Sequence, residues 1–117
     1  MEDGDRVQAG ELTFTCLSPE IGVEYTDGNS ASMVIRLEDE HVAILFCGDA
    51  DLAAEERFVQ DAGHCQILKA GHHGSRTSTG DTLLSRVRPE LTVISCDREN
   101  RYGHPHQETL ERIQNAG

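Results

Sequence analysis

Asp49 and two histidine clusters are the side chains in this sequence best suited to chemistry. Asp49 closes the apolar run Ala43-Ile44-Leu45-Phe46-Cys47-Gly48. His72 and His73 follow a second such stretch, Ile67-Leu68-Lys69-Ala70-Gly71, and lead into Gly74-Ser75. His104 and His106 flank Pro105, beyond a third run, Leu91-Thr92-Val93-Ile94-Ser95-Cys96. If these runs are strands lying side by side and parallel, the carboxylate and the imidazoles reach one sheet edge. Open α/β sheets carry their sites at the carboxyl ends of strands. A carboxylate beside neutral imidazoles suits metal-assisted hydrolysis. Imidazole ligates metals and moves protons near neutral pH, and a bound ion lowers the pKa of its water.

Each of these residues also has a structural role to weigh. Asp49 could cap the helix that follows, and Asp51 could do so instead. His72-His73 could be an exposed polar loop, although glycines on both sides let the backbone turn sharply and a ligand approach. Adjacent histidines point in different directions, so at most one ligates a given ion while the other faces substrate. His104 could cap the last helix, with His106 exposed. No competing catalytic motif is present: there is no Gly-x-Ser-x-Gly elbow, P-loop or Gly-x-Gly-x-x-Gly. Asp49-x-Asp51 also lacks the further ligand and glycine of an EF-hand loop.

The elements that must position these groups follow from periodicity. Residues 1–10 read as a polar arm or linker. Leu12, Phe14 and Cys16 alternate with threonines, a period-two strand closed by Ser18-Pro19. Residues 20–32 read as a long loop. Met33–Leu37 and His41–Cys47 form a hairpin around Glu38-Asp39-Glu40. The second of these is almost wholly apolar, which predicts a strand covered on both faces. Asp51–Val59 reads as a helix with early acids and Leu52, Phe58 and Val59 on one face. Cys65–Ala70 is a strand, Thr82–Val87 a short helix ended by Pro89, Leu91–Cys96 a strand and Gln107–Gln114 a last helix. The order predicts an α/β layer with helices on at least one face.

The chain has 117 residues, enough for one modest domain, and 37% of them are hydrophobic. Without tryptophan, its core volume must come mainly from Leu, Ile, Val and Ala. The net charge of -11 argues against general nucleic-acid binding by charge neutralisation, but not against a site where an ion supplies the positive field. The four cysteines, Cys16, Cys47, Cys65 and Cys96, form no C-x-x-C pair and read as reduced, buried small hydrophobes. No bilayer-length apolar run or leader is visible, so a soluble chain without membrane contact is expected, in the cytoplasm rather than the periplasm.

Taken in order, Asn29-Ser30-x-Ser32-x-Val34, Phe46-Cys47-Gly48-Asp49, Ile67-Leu68-Lys69-x-Gly71-His72-His73-Gly74-Ser75, Val93-Ile94-Ser95 and Asn100-Arg101-Tyr102-Gly103-His104-Pro105-His106 resemble the metallo-β-lactamase-fold domain of ComEC-type DNA-internalisation (competence) proteins. The resemblance covers nearly the whole chain, and the family's proteins are often membrane-anchored. It implies a phosphodiester hydrolase using zinc or manganese, with single-stranded DNA as substrate. By resemblance, Asp49 would bridge two metal ions and His73 would ligate the second. His72 and His104 would be catalytic, acting on the phosphate or leaving group. Asn29, Ser30, Ser75, Tyr102 and His106 would line the substrate site. The superfamily's main metal motif, His-x-His-x-Asp-His, is absent from this sequence. The chain therefore resembles the C-terminal half of an αββα sandwich, a single partial domain over 1–117. It would be a mixed sheet with a β-hairpin and helices on the outer face, and its metal site would be incomplete. The isolated chain would be inactive and would either self-associate or pair with the missing N-terminal half-domain. The alternative is a non-catalytic assembly or binding module for a partner carrying that half.

Overall fold

The computed structural model describes residues 3–19, 32–96 and 103–116. They form a mixed α/β fold with one six-stranded mixed sheet and three helices. The strands are β1 (Arg6–Ala9), β2 (Leu12–Ser18), β3 (Val34–Glu38), β4 (Ala43–Phe46), β5 (Ile67–Lys69) and β6 (Leu91–Val93). The helices are α1 (Leu52–Ala62), α2 (Asp81–Val87) and α3 (Gln107–Asn115). Spatial order follows chain order, from β1 to β6. The β1–β2, β2–β3 and β3–β4 pairs are antiparallel, whereas β4–β5 and β5–β6 are parallel. Helices α1 and α2 are the crossovers that parallel neighbours require.

The pleat sorts the side chains into two faces. Ala43, Leu45 and Leu68 point into a core with Val34 and Cys47, closed by Ala54, Phe58, Val59 and Ala62 of α1 and Leu83, Leu84 and Val87 of α2. Helix α1 forms because Asp51 caps it, its side chain accepting from the Ala54 N–H at 2.9 Å. Leu52, expected on the buried face with Phe58 and Val59, is exposed. Arg36 closes the other end, donating from Nη1 to the carbonyls of Ala62 and His64 and to Cys65 Sγ.

The opposite sheet face corrects one expectation. Ile44 and Phe46 flank Leu45 and so point away from the helices. They pair across strands with Leu37, Ile35, Ile67 and Lys69, and β5 in turn pairs with Leu91 and Val93. Leu91 is 56%, Val93 42% and Phe46 40% exposed. The strand expected to be covered on both faces is therefore covered on one, among the described residues. The stretch read as an arm contains β1, an edge strand exposed along its length and paired in a hairpin with β2. All four cysteines are free; Cys16, Cys47 and Cys65 are buried as expected, but Cys96 is exposed. Among the described residues, no helix is long and apolar enough to cross a membrane.

Candidate functional site

The last residues of β4, β5 and β6 (Phe46, Lys69 and Val93) stand in register. The chain therefore leaves three parallel strands at one level, and the segments that follow meet. The β4 exit turns at Gly48, with φ +56; a Cβ there would lie 2.8 Å from the Met33 carbonyl oxygen, so only glycine fits. Asp49 comes next, its N–H donating to Ser32 Oγ at 3.2 Å. Because Asp51 takes the capping role, Asp49 is left half-exposed at the edge.

The β5 exit is a tight turn over Gly71–Gly74, with His72 at φ 47, ψ 46 and His73 at φ 55, ψ 29. Left-handed backbone costs a non-glycine residue roughly 1–2 kcal/mol, and strain of this kind collects at functional sites. Gly74 continues the turn at φ +79, and a Cβ there would meet Pro105 Cβ at 2.7 Å. Backbone bonds join the exits: His72 N–H donates to the Gly48 carbonyl at 2.8 Å, and His106 N–H to the Gly74 carbonyl at 3.0 Å.

Four imidazoles gather over this turn. His73 Nδ1 lies 2.7 Å from the Ser95 carbonyl oxygen, so Nδ1 carries the hydrogen and donates. Its Nε2 is thereby left with a free lone pair when neutral, and sits 4.0 Å from Asp49 Oδ1. His106 Nδ1 accepts from the Arg76 N–H at 2.8 Å, placing the hydrogen of the neutral ring on Nε2. His72 Nδ1 is buried without a hydrogen-bond partner. His104 sits between them, its ring centroid 5.5 Å from His72, 6.2 Å from His73 and 4.8 Å from His106. Partial burial, then the neighbouring His106, His72 and His73, push its pKa below the ordinary histidine value. A neutral His104 can donate one N–H or accept one proton.

The structure thus brings together Asp49, His72, His73, His104 and His106. Ser75 follows the cluster but is buried, its hydroxyl 2.9 Å from Thr77 Oγ1. Asn29, Ser30 and Tyr102 lie outside the described residues. His106 is the N-cap residue of α3, half-buried rather than exposed. Sequence reasoning passed over Glu55 and Arg112, which grip the loop after the cluster from opposite sides. Glu55 Oε2 and Oε1 accept from the N–H groups of Thr79 and Gly80 at 2.6 and 2.8 Å. Arg112 donates to the carbonyls of Arg76, Ser78 and Thr79 at 2.9, 2.8 and 3.0 Å. Both look like ordinary helix charges in sequence; the only local signal is the His106-x-x-Thr109-x-x-Arg112 spacing.

Among the described residues, this constellation falls short of the donor set of a closed metal centre. Asp49 and the free Nε2 of His73 face each other, but a closed zinc site takes four ligands. Among the described residues, no group of three or more His, Cys, Asp or Glu is arranged to hold an ion.

No family model matches the chain. Curated relatives do. Recombination protein 2 of Haemophilus influenzae is 42% identical over 102 residues, covering 87% of this chain and 13% of that protein. ComE operon protein 3 of Bacillus subtilis is 34% identical over 113 residues, covering 95% of this chain and 14% of that protein. Competence protein ComA of Neisseria gonorrhoeae is 37% identical over 94 residues, covering 78% and 14%. The chain therefore spans only a small part of the relatives it matches. Among solved structures, a protein of unknown function from Enterococcus faecalis V583 aligns over 59% of this chain at 16% identity with a TM-score of 0.44, too distant to assign a fold.

Proposed function

This chain is related to competence proteins along a segment of their length, and on that premise we propose that it is the C-terminal half of a metallo-β-lactamase-fold domain that hydrolyses phosphodiesters during DNA uptake. The observation that carries the reading is the convergence of Asp49, His72, His73, His104 and His106 over a strained turn at one sheet edge. Asp49 and His73 are two donors toward zinc or manganese, and the missing half-domain supplies the others. The metal, when bound in the complete domain, supplies Lewis acidity and an activated water. The chain's own residues do the rest. Ser95 holds the His73 ring so that Nε2 faces the site. His104, kept neutral, donates an N–H to a phosphate oxygen or takes a proton from an attacking water. His72 and His106 crowd it from either side and disfavour its imidazolium.

The test is cleavage of labelled single-stranded DNA with zinc or manganese, by the chain alone and by the chain joined to the flanking segment of a relative. The chain alone should be inactive, and the joined protein active. Asp49→Ala and His73→Ala should each abolish that activity; cleavage that survives both would overturn the reading.

A second reading has its own support. The apolar sheet face left open among the described residues favours a non-catalytic module whose work is assembly. Either a second copy or the missing half-domain would cover that face. A joined protein that folds tightly, yet neither binds metal nor cleaves DNA, would select this reading.

A further inference from the structure

We infer that α3 is the positioning element of the imidazole cluster and that Arg112 is its anchor, an inference that rests on the site reading above. His106, Thr109 and Arg112 recur every third residue and so share one face of the helix. Each bonds to the loop that leaves the His72-His73 turn. His106 donates its N–H to the Gly74 carbonyl and accepts the Arg76 N–H on Nδ1. Thr109 Oγ1 donates to the Ser75 carbonyl at 2.8 Å. Arg112 donates to the carbonyls of Arg76, Ser78 and Thr79, and these charge-assisted bonds are the strong ones of the set. On the other side, Glu55 receives the N–H groups of Thr79 and Gly80, so the Thr79 backbone is clamped between a cation and a carboxyl.

Apolar packing does not do this work. Thr109 is the one buried residue of α3, and Ile113 is only partly buried against the core. A helix with so little apolar burial takes its register from its polar bonds. A shift of α3 would carry His106 away from Arg76 and drag His104, two residues ahead, out of the cluster. Arg112 bonds to the carbonyls of the loop and to Thr109 Oγ1, so it acts through the loop as a positioning residue.

The test is long-range proton–nitrogen NMR of the imidazoles in the wild-type chain, Arg112→Ala and Arg112→Lys, at a temperature where each is folded. The wild type should show His73 only as the Nδ1–H tautomer and His106 only as Nε2–H. Arg112→Ala should mix the His106 tautomers and broaden His73, and Arg112→Lys should restore part of the pattern. A folded Arg112→Ala with the wild-type imidazole pattern would overturn the inference. So would loss of folding in both variants, since Arg112 would then support the whole fold rather than the site. A parallel zinc titration of the chain joined to the flanking segment of a relative tests the metal reading separately: failure to bind would sink that reading and leave the tautomer comparison standing.

Discussion

At the residue scale, Glu55 shows how burial sets a titration. Its carboxyl is almost wholly buried, and this pushes its pKa up to about 7 against the opposing pull of the Gly80 and Thr79 N–H bonds and Arg112. The folded state therefore binds this proton more tightly than the unfolded state between pH 4.5 and about 7. Stability from Glu55 is full below 4.5 and lost as pH rises through about 7. His104 works in the opposite sense. Its folded pKa lies below the unfolded value of 6.5, so its contribution is present above 6.5 and lost as pH falls through the folded value. Denaturant unfolding across this range should separate the two. Glu55→Gln should remove the fall in stability with rising pH and leave the His104 rise. The same change should cost about 1–3 kcal/mol, because the amide NH2 would face a backbone N–H donor. An unchanged pH slope in Glu55→Gln would show that another group titrates. Asp49 and Asp51 offer a second contrast. Asp51→Ala should cost about 1 kcal/mol as a lost N-cap. Asp49→Ala, at a half-exposed position, should move stability by less than about 0.5 kcal/mol. Equal losses on chemical denaturation would mean that Asp49 is structural after all.

At the element scale, the turn after β5 is where local preference and fold disagree. Histidine enters left-handed backbone more often than most side chains but still seldom, and His72 and His73 do so in succession. The turn is held by His72 N–H on Gly48 and by Gly74 packed under Pro105. Gly74→Ala should therefore destabilise by more than about 1 kcal/mol, since alanine fits neither the φ of +79 nor the 2.7 Å approach to Pro105. A thermal midpoint equal to wild type would show that the turn relaxes at no cost. The helices were easier to read. Asp51 followed by helix formers marks the start of α1, and Pro89 stands just beyond α2. The alternation of Leu12, Phe14 and Cys16 likewise marks β2. The missed strand β1 carries no such pattern: Arg6–Ala9 is polar and exposed, and forms because β2 offers it an edge.

At the scale of the whole molecule, the sheet is finished on one face and, among the described residues, open on the other. Val93, Leu91 and Phe46 lie exposed beside Ile44, Ile35 and Ile67, and contiguous apolar surface of this kind is unusual on a monomer. Self-association at micromolar concentration is the expected outcome for the chain alone, read by light scattering. Phe46→Lys combined with Leu91→Lys should return it to a monomer without unfolding it, because neither side chain points into the core. A wild-type monomer would show that the open face is tolerated in solution.

Sequence alone determined the order of elements from β2 onward and the apolar strands whose ends carry Asp49 and His72-His73; that those strands run parallel and share an edge was a condition the structure met. The elements and their ends are written in short-range periodicity, which a single pass along the chain can read. Only the tertiary structure decided which aspartate caps α1, which ring nitrogen of His73 is free, and that His106 is tied to Arg76. It alone revealed the Glu55–Arg112 clamp. Each of the last three rests on bonds between residues 22 or more positions apart, and no local pattern records such pairings.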